Sequence, residues 1–200
     1  MAAQQLTIPM FPLNLVLLPG ETKTLHIFEE RYKELVNDCI TNEAHFGIPF
    51  VHQKRMGDYG IEVKITKVIK THDNGEMDIA IEGVTVFKIL EFSSVLHPKL
   101  YGAAMIEHED EHYLKPSTIL QDLTREYMWI AQQNALPIDA FDNSTIYSIA
   151  RLLDLSSPEK YELIKAKDAR EKENILKAKI RLFTHLIKTE NDLQQKFILN

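Results

Sequence analysis

Three prolines set among apolar residues near the N-terminus, Pro9, Pro12 and Pro19, constrain this chain more than any other feature. They punctuate the run Ile-Pro-Met-Phe-Pro-Leu-Asn-Leu-Val-Leu-Leu-Pro-Gly that begins at Ile8. Each proline fixes φ and withholds an N–H, so a long helix is excluded here. The run is too apolar for a solvated loop. What remains is a set of short edge strands and turns laid over a core, with Pro19-Gly20 making a tight turn. The period then changes. Phe28, Tyr32, Leu35, Val36 and Cys39 recur at helical spacing, and Glu29 and Glu30 fall where a helix dipole favours negative charge. The spacing predicts one helix from residue 29 to about 40.

Alternation takes over after that helix. Phe46 opens a short apolar strand. Gly60 introduces a longer one in which Ile61, Val63 and Ile65 alternate with Glu62, Lys64 and Thr66. The phase slips before Val68, which predicts a bulge or a strong bend. Asn74-Gly75 predicts a type I′ hairpin turn, because both residues accept positive φ. Met77, Ile79 and Ile81 then alternate with Asp78, Ala80 and Glu82, and strands are expected over 84–92 and 100–106. Several strands with one early helix are the pattern of a small twisted barrel.

Beyond His112 the period becomes helical. Thr118 with Gln121 has the form of a capping box, followed by a stripe of Ile119, Leu120, Leu123, Tyr127 and Ile130. Ile146, Ile149, Ala150 and Leu153 form the next helix. Ser157-Pro158 opens a short third one, and Leu176, Ile180, Phe183 and Ile187 support a long last one. The expected fold class is therefore α+β, with a β-rich subdomain over 1–110 and a helical subdomain over 111–200.

Charge and cysteine usage narrow the function. A net charge of −6 disfavours a general nucleic-acid binder. Residues 158–200 carry 10 Lys/Arg against 7 Asp/Glu, and residues 1–157 carry 13 against 22. The basic residues of the C-terminal part are interleaved with acidic ones, as on a solvated helical face. Cys39, the single cysteine, reads as a small buried hydrophobe in a reducing cytoplasm. No apolar run is long enough to span a bilayer, and no secretory signal is expected.

The opening stretch closely resembles the start of the LON domain, the N-terminal substrate-binding domain of ATP-dependent Lon proteases. The resemblance rests on Pro9-Met10-Phe11-Pro12-Leu13, Val16-Leu17-Leu18-Pro19-Gly20 and Leu25-His26-Ile27-Phe28-Glu29-Glu30-Arg31-Tyr32. It continues through Phe46-Gly47, Gly60, Asn74-Gly75 and Ile81-Glu82-Gly83, with Val86 where that family commonly has arginine. Ile149-Ala150-Arg151-Leu152-Leu153 and Ser156-Ser157-Pro158-Glu159-Lys160 extend it into the helical half. It implies a PUA-like pseudo-barrel followed by a helical bundle. It also implies a free-standing domain, since no Gly-x-x-x-x-Gly-Lys-Ser/Thr phosphate loop and no serine–lysine protease module occur in these residues.

One motif points elsewhere. His108-Glu109-Asp110-Glu111-His112 matches H-E-x-x-H, which on a helix holds zinc between two imidazoles. Here it ends a strand, lies in an acidic run and precedes Lys115-Pro116, so no metal site is expected. There is no Gly-x-Ser-x-Gly elbow and no cofactor motif. The expected function is a non-catalytic module that binds unfolded or apolar polypeptide, with a protease or chaperone as candidate partner and no membrane. The alternative is a PUA-like protein that binds RNA or a small ligand. The residues a compact barrel needs least are Met10, Phe11 and Leu15 in the opening stretch and Glu29, Glu30 and Arg31 at the helix start. These are the candidate substrate-binding residues.

Overall fold

The computed structural model describes residues 6–109, 114–134 and 144–198. It has the expected α+β architecture. The strands are β1 (Leu6–Met10), β2 (Thr22–Ile27), β3 (Phe46–His52), β4 (Arg55–Thr71), β5 (Met77–Ser93) and β6 (Gly102–His108). The helices are α1 (Glu30–Thr41), α2 (Thr118–Gln133), α3 (Ile146–Ala150), α4 (Ser157–Ile164) and α5 (Ala169–Ile198). Two compact units emerge. One takes the residues up to 110 together with 156–165, and the other takes the remainder. No described helix is long and apolar enough to cross a membrane.

β5 organises the first unit. β4 runs along one of its edges. On the other edge, Met77 to Glu82 pair with β2, and Phe87 to Ser93 pair with β6. Because β6 also pairs with β1, and β1 with β3, strands β5, β4, β3, β1 and β6 close into a ring with β2 beside it. Phe87, fully buried, sits where β5 exchanges partners, in register with Gly60 on one side and His108 on the other. Its ring needs both neighbouring glycines. A Cβ on Gly47 would lie 2.6 Å from Met10 Sδ and 2.9 Å from the Phe87 ring, and one on Gly60 would lie 2.5 Å from the Ile48 carbonyl oxygen. Ile8, Met10, Ala104 and Ile106 pack around the same ring.

The prolines sit differently from expectation. β1 is not an edge strand but lies between β3 and β6. Pro9 is tolerated because its nitrogen points the same way as that of Phe11, which donates to the Gly47 carbonyl of β3. On that side β1 has one register pair, Met10↔Gly47, so no ladder bond is lost. Pro19-Gly20 does make the tight turn. Glu21 N–H donates to the Leu18 carbonyl at 2.9 Å and Gly20 has φ 80°, the type II arrangement.

The type I′ turn expected at Asn74-Gly75 does not form there. At Asn74-Gly75 only the glycine has positive φ. Gly75 N–H donates to His72 O and His72 N–H to Glu76 O, a type I turn with a glycine bulge in place of type I′. The β3–β4 turn instead has both Gln53 (φ 49°) and Lys54 (φ 64°) in the left-handed region between the paired His52 and Arg55. That is a type I′ turn without the usual residues. The expected slip near Val68 is present as register shifts at Ile65/Lys67 and Val68/Lys70.

Helix α4 falls in the same compact unit as the strands. Lys160 Nζ donates to Glu21 at 2.8 Å, Ser157 Oγ accepts from Val16 N–H, and the Tyr161 ring lies 4.8 Å from Phe50. The boundary drawn at residue 110 therefore does not assign this helix, whose partners lie far back in the sequence. In the second unit α2 is capped by Ser117, one residue before the predicted cap, and its buried stripe is Leu120, Thr124, Tyr127, Ile130 and Ala131. Ile119 falls outside that stripe and is exposed. The Glu173 carboxylate of α5 accepts from Ser117 N–H (2.6 Å) and Oγ (2.7 Å) and pairs with Lys177, which ties α5 to the start of α2.

Two stability changes follow from this geometry. Gly60→Ala should destabilise by about 1–3 kcal/mol, because a methyl group must displace the Ile48 carbonyl or the Phe87 ring. Replacing Gln53-Lys54 by Asn-Gly should stabilise by about 1–2 kcal/mol, because it relieves two side chains held at positive φ. Denaturant unfolding of the two variants beside the parent protein measures both.

Candidate functional site

The predicted contact residues separate into core and surface. Met10 is 1% exposed and Phe11 is buried, so neither offers a free apolar face, and the expectation for these two is corrected. The open space left by Gly47 draws Met10 under Phe87. Phe11 stacks on Tyr32 with ring centroids 3.9 Å apart. Leu15 and Glu29 are half-buried, and Glu30 and Arg31 are exposed. Glu29 caps the start of α1 and pairs with Arg31 at 2.7 Å, and the Arg31 guanidinium lies 4.5 Å from the Tyr32 ring centroid. Glu30 pairs with Lys33 at 2.9 Å.

Met10, Arg31 and Tyr32 nevertheless line one small hollow of about 80 Å³, together with Phe92 of β5, Ser94 of the β5–β6 connection and Gly102 of β6. That connection was not singled out from the sequence, and it carries the more informative surface. Leu90 and Phe92 at the end of β5, and Val95, Leu96 and Leu100 after it, are all exposed, Leu100 at 59%. A connection between strands is ordinarily polar. The usable signal was the same as in the opening stretch, apolar residues interrupted by a proline, here Pro98.

This apolar loop is held in place. Lys99 N–H donates to Leu96 O and Leu96 N–H to Tyr101 O, which closes the loop on itself. Helix α1 then grips it. Lys99 Nζ lies 2.6 Å from Asp38 Oδ2, Tyr101 Oη donates to the same oxygen at 2.7 Å, and Leu100 N–H donates to Glu34 at 2.8 Å. The hydrogen bonds from Lys99 and Tyr101 hold the Asp38 carboxyl below its usual range. Burial and the bond to Asp38 push the Tyr101 hydroxyl up. The grip is thus present above the ordinary carboxylate range and is lost as pH falls through the lowered value of Asp38.

Other chemistry-bearing groups are committed elsewhere. Burial pushes the Cys39 thiol up to about 12, as expected of a small core residue. Glu62, read as outward-facing from the alternation, is buried and accepts from His45 at 2.6 Å and from His108. His108, the first residue of the H-E-x-x-H motif, thus ends β6 as a partner of Glu62. Asp110 to His112 lie outside the described residues. A wider hollow of about 420 Å³ lies between the end of α1 and β4, with Ile40 and Val68 exposed at its rim.

Comparison with known proteins identifies the family. The family model described as the ATP-dependent protease La (LON) substrate-binding domain matches residues 7–176. Among solved structures, a Lon N-terminal domain protein from Xanthomonas campestris is similar at 24% identity and TM-score 0.67, covering 86% of this chain and 97% of that one. The N-terminal domain of a Mycobacterium avium complex Lon protease is similar at 14% identity and TM-score 0.52, covering 90% and 95%. Both likenesses are likenesses of fold. No curated protein matches the chain.

Loosening the grip on the apolar loop gives a direct check. Asp38→Asn should leave the fold intact but raise the rate of tryptic cleavage after Lys99 several-fold at neutral pH. The parent protein should show the same increase when assayed, with an acid-tolerant protease, below the ordinary carboxylate range. Peptide mapping by mass spectrometry reads both.

Proposed function

The chain belongs to the LON substrate-binding domain family, and from that premise we propose that it captures unfolded or apolar segments of polypeptide on its β5–β6 loop. The observation that carries the reading is the exposure of Leu90 and Phe92 at the end of β5 and of Val95, Leu96 and Leu100 on the connection that Glu34 and Asp38 hold. Apolar side chains kept at the surface mark a contact site. Side chains already ordered lose less entropy when a ligand covers them. Arg31, Tyr32 and Phe92 form the wall of the adjoining hollow, where an aromatic or aliphatic side chain of the bound segment enters. Arg31, Glu29 and Glu30 give that wall a charged border, and Met10 and Phe11 support it from beneath.

Binding of this kind is weak and transient, because a shallow surface must offset the ordering of a flexible ligand. A protease or a chaperone is the receiver of the segment. A cytoplasmic setting fits the single cysteine, buried and protonated at neutral pH.

The test is a titration with a fluorescently labelled unfolded protein and, separately, a labelled single-stranded RNA, each from low to high salt. The unfolded protein should bind with little salt dependence. The double variant Val95→Ser, Leu100→Ser should weaken it by about tenfold, the loss expected when about 1.4 kcal/mol of apolar contact is removed. Trp129→Ser, an equally exposed apolar site in the other unit, should leave it unchanged. Binding that ignores the loop variant, or salt-sensitive RNA binding without polypeptide binding, refutes the proposal.

A further inference from the structure

Three side chains that polypeptide capture does not use meet on the solvent side of the arm built from β2, β5 and the end of β4. His26 comes from β2, Asp78 from β5 directly across the ladder, and His72 from the first residue after β4. His26 Nδ1 lies 2.8 Å from Asp78 Oδ1, and His72 Nε2 lies 2.9 Å from Asp78 Oδ2. The two imidazoles meet edge-on with centroids 5.7 Å apart. One donor atom from each of the three residues lies within 4.8 Å of the other two. All three remain open enough for an ion and its water to reach.

We propose that His26, His72 and Asp78 form a binding site for a first-row divalent cation, zinc being the best match to the donor set. Two imidazole nitrogens and one carboxylate oxygen make a three-ligand set that zinc accepts with a water as fourth ligand. Metal–donor bonds of about 2.0–2.1 Å place neighbouring donors roughly 3.3 Å apart. The two His–Asp separations need to open by about half an ångström to reach that, and the two imidazole nitrogens, within 4.8 Å of each other, need to close on the ion. Side-chain rotation supplies this while the strand ladders hold the backbone.

A second, independent feature points the same way. Glu76 Oε2 lies 3.3 Å from His26 Nε2, the nitrogen on the far side of the ring from Asp78. A metal-bound histidine characteristically gives its other N–H to a carboxylate, which sets the tautomer and turns the free lone pair toward the ion. Glu76 is in place to do this, leaving Nδ1 of His26 as the ligand atom. An ion held here joins β2 to the β4–β5 turn, two pieces that the sheet connects only through β5. The site is independent of the β5–β6 loop, so failure of either proposal leaves the other intact.

The experiment is isothermal titration of the folded chain with zinc chloride, repeated with cobalt(II) chloride to read its absorption spectrum. One zinc per chain is expected. His72→Ala and Asp78→Asn, each checked for folding by circular dichroism, should weaken binding by about tenfold or more, and Glu76→Gln by a smaller factor. His112→Ala, a control in the H-E-x-x-H motif, should bind as the parent does. Zinc should also slow amide exchange in residues 22–27 and 72–78 of the parent but not of His72→Ala. Absence of uptake, uptake that His72→Ala leaves unchanged, or uptake that His112→Ala abolishes would each overturn the proposal.

Discussion

The packing of Phe87 against two glycines is the contact on which the barrel depends. At this residue β5 leaves β2 behind and takes β6 as its neighbour. The Phe87 ring is fully buried at this exchange, packed with Ile8, Met10, Ala104 and Ile106. Gly47 and Gly60 let the neighbouring backbones come close enough to enclose it. An alanine at either position would separate the strands that this ring holds together. β6 also reaches β1, so the ring of strands closes, and the β5–β6 connection lies against Glu34 and Asp38 of α1.

Helix α1 therefore serves two surfaces. Its buried face, Tyr32, Leu35, Val36 and Cys39, covers the core. Glu34 and Asp38, between those positions in the sequence, hold the β5–β6 loop. One element thus fixes both the interior and the exposed apolar loop. The affinity of such a surface rests on its being formed beforehand as well as on its area.

Much of this architecture was legible in the sequence for physical reasons. Proline chemistry excluded a helix at the start, Pro19-Gly20 required a turn, and the change of period located α1 and the later helices. Where the reading failed, the missing information was tertiary. Met10 and Phe11 stand among the candidate contacts because, read locally, a compact barrel needs that proline-broken stretch least, yet both are buried. What buries them is the space beside Gly47 and the ring of Tyr32, from elsewhere in the chain. Alternation placed Glu62 in solvent, yet His45 and His108 approach from two other segments and allow a carboxylate to be buried. Gln53-Lys54 makes a type I′ turn without its usual residues because the register of β3 and β4 demands one. His26, His72 and Asp78 carry no spacing signature, since the sheet alone brings them together.

The ring has a consequence for how the protein is made. Its seam joins β1 to β6 in pairs such as Leu6↔Ile106, so β1 must await the synthesis of the last strand of the barrel. The Val16 amide waits longer still, for Ser157. Throughout that interval β1 can pair with β3 but its other edge stays open. Contacts so distant in sequence form slowly, and an unpaired apolar strand associates readily with its like. Until the ring closes, this chain itself presents an unfolded apolar segment, the kind of surface that chaperones hold.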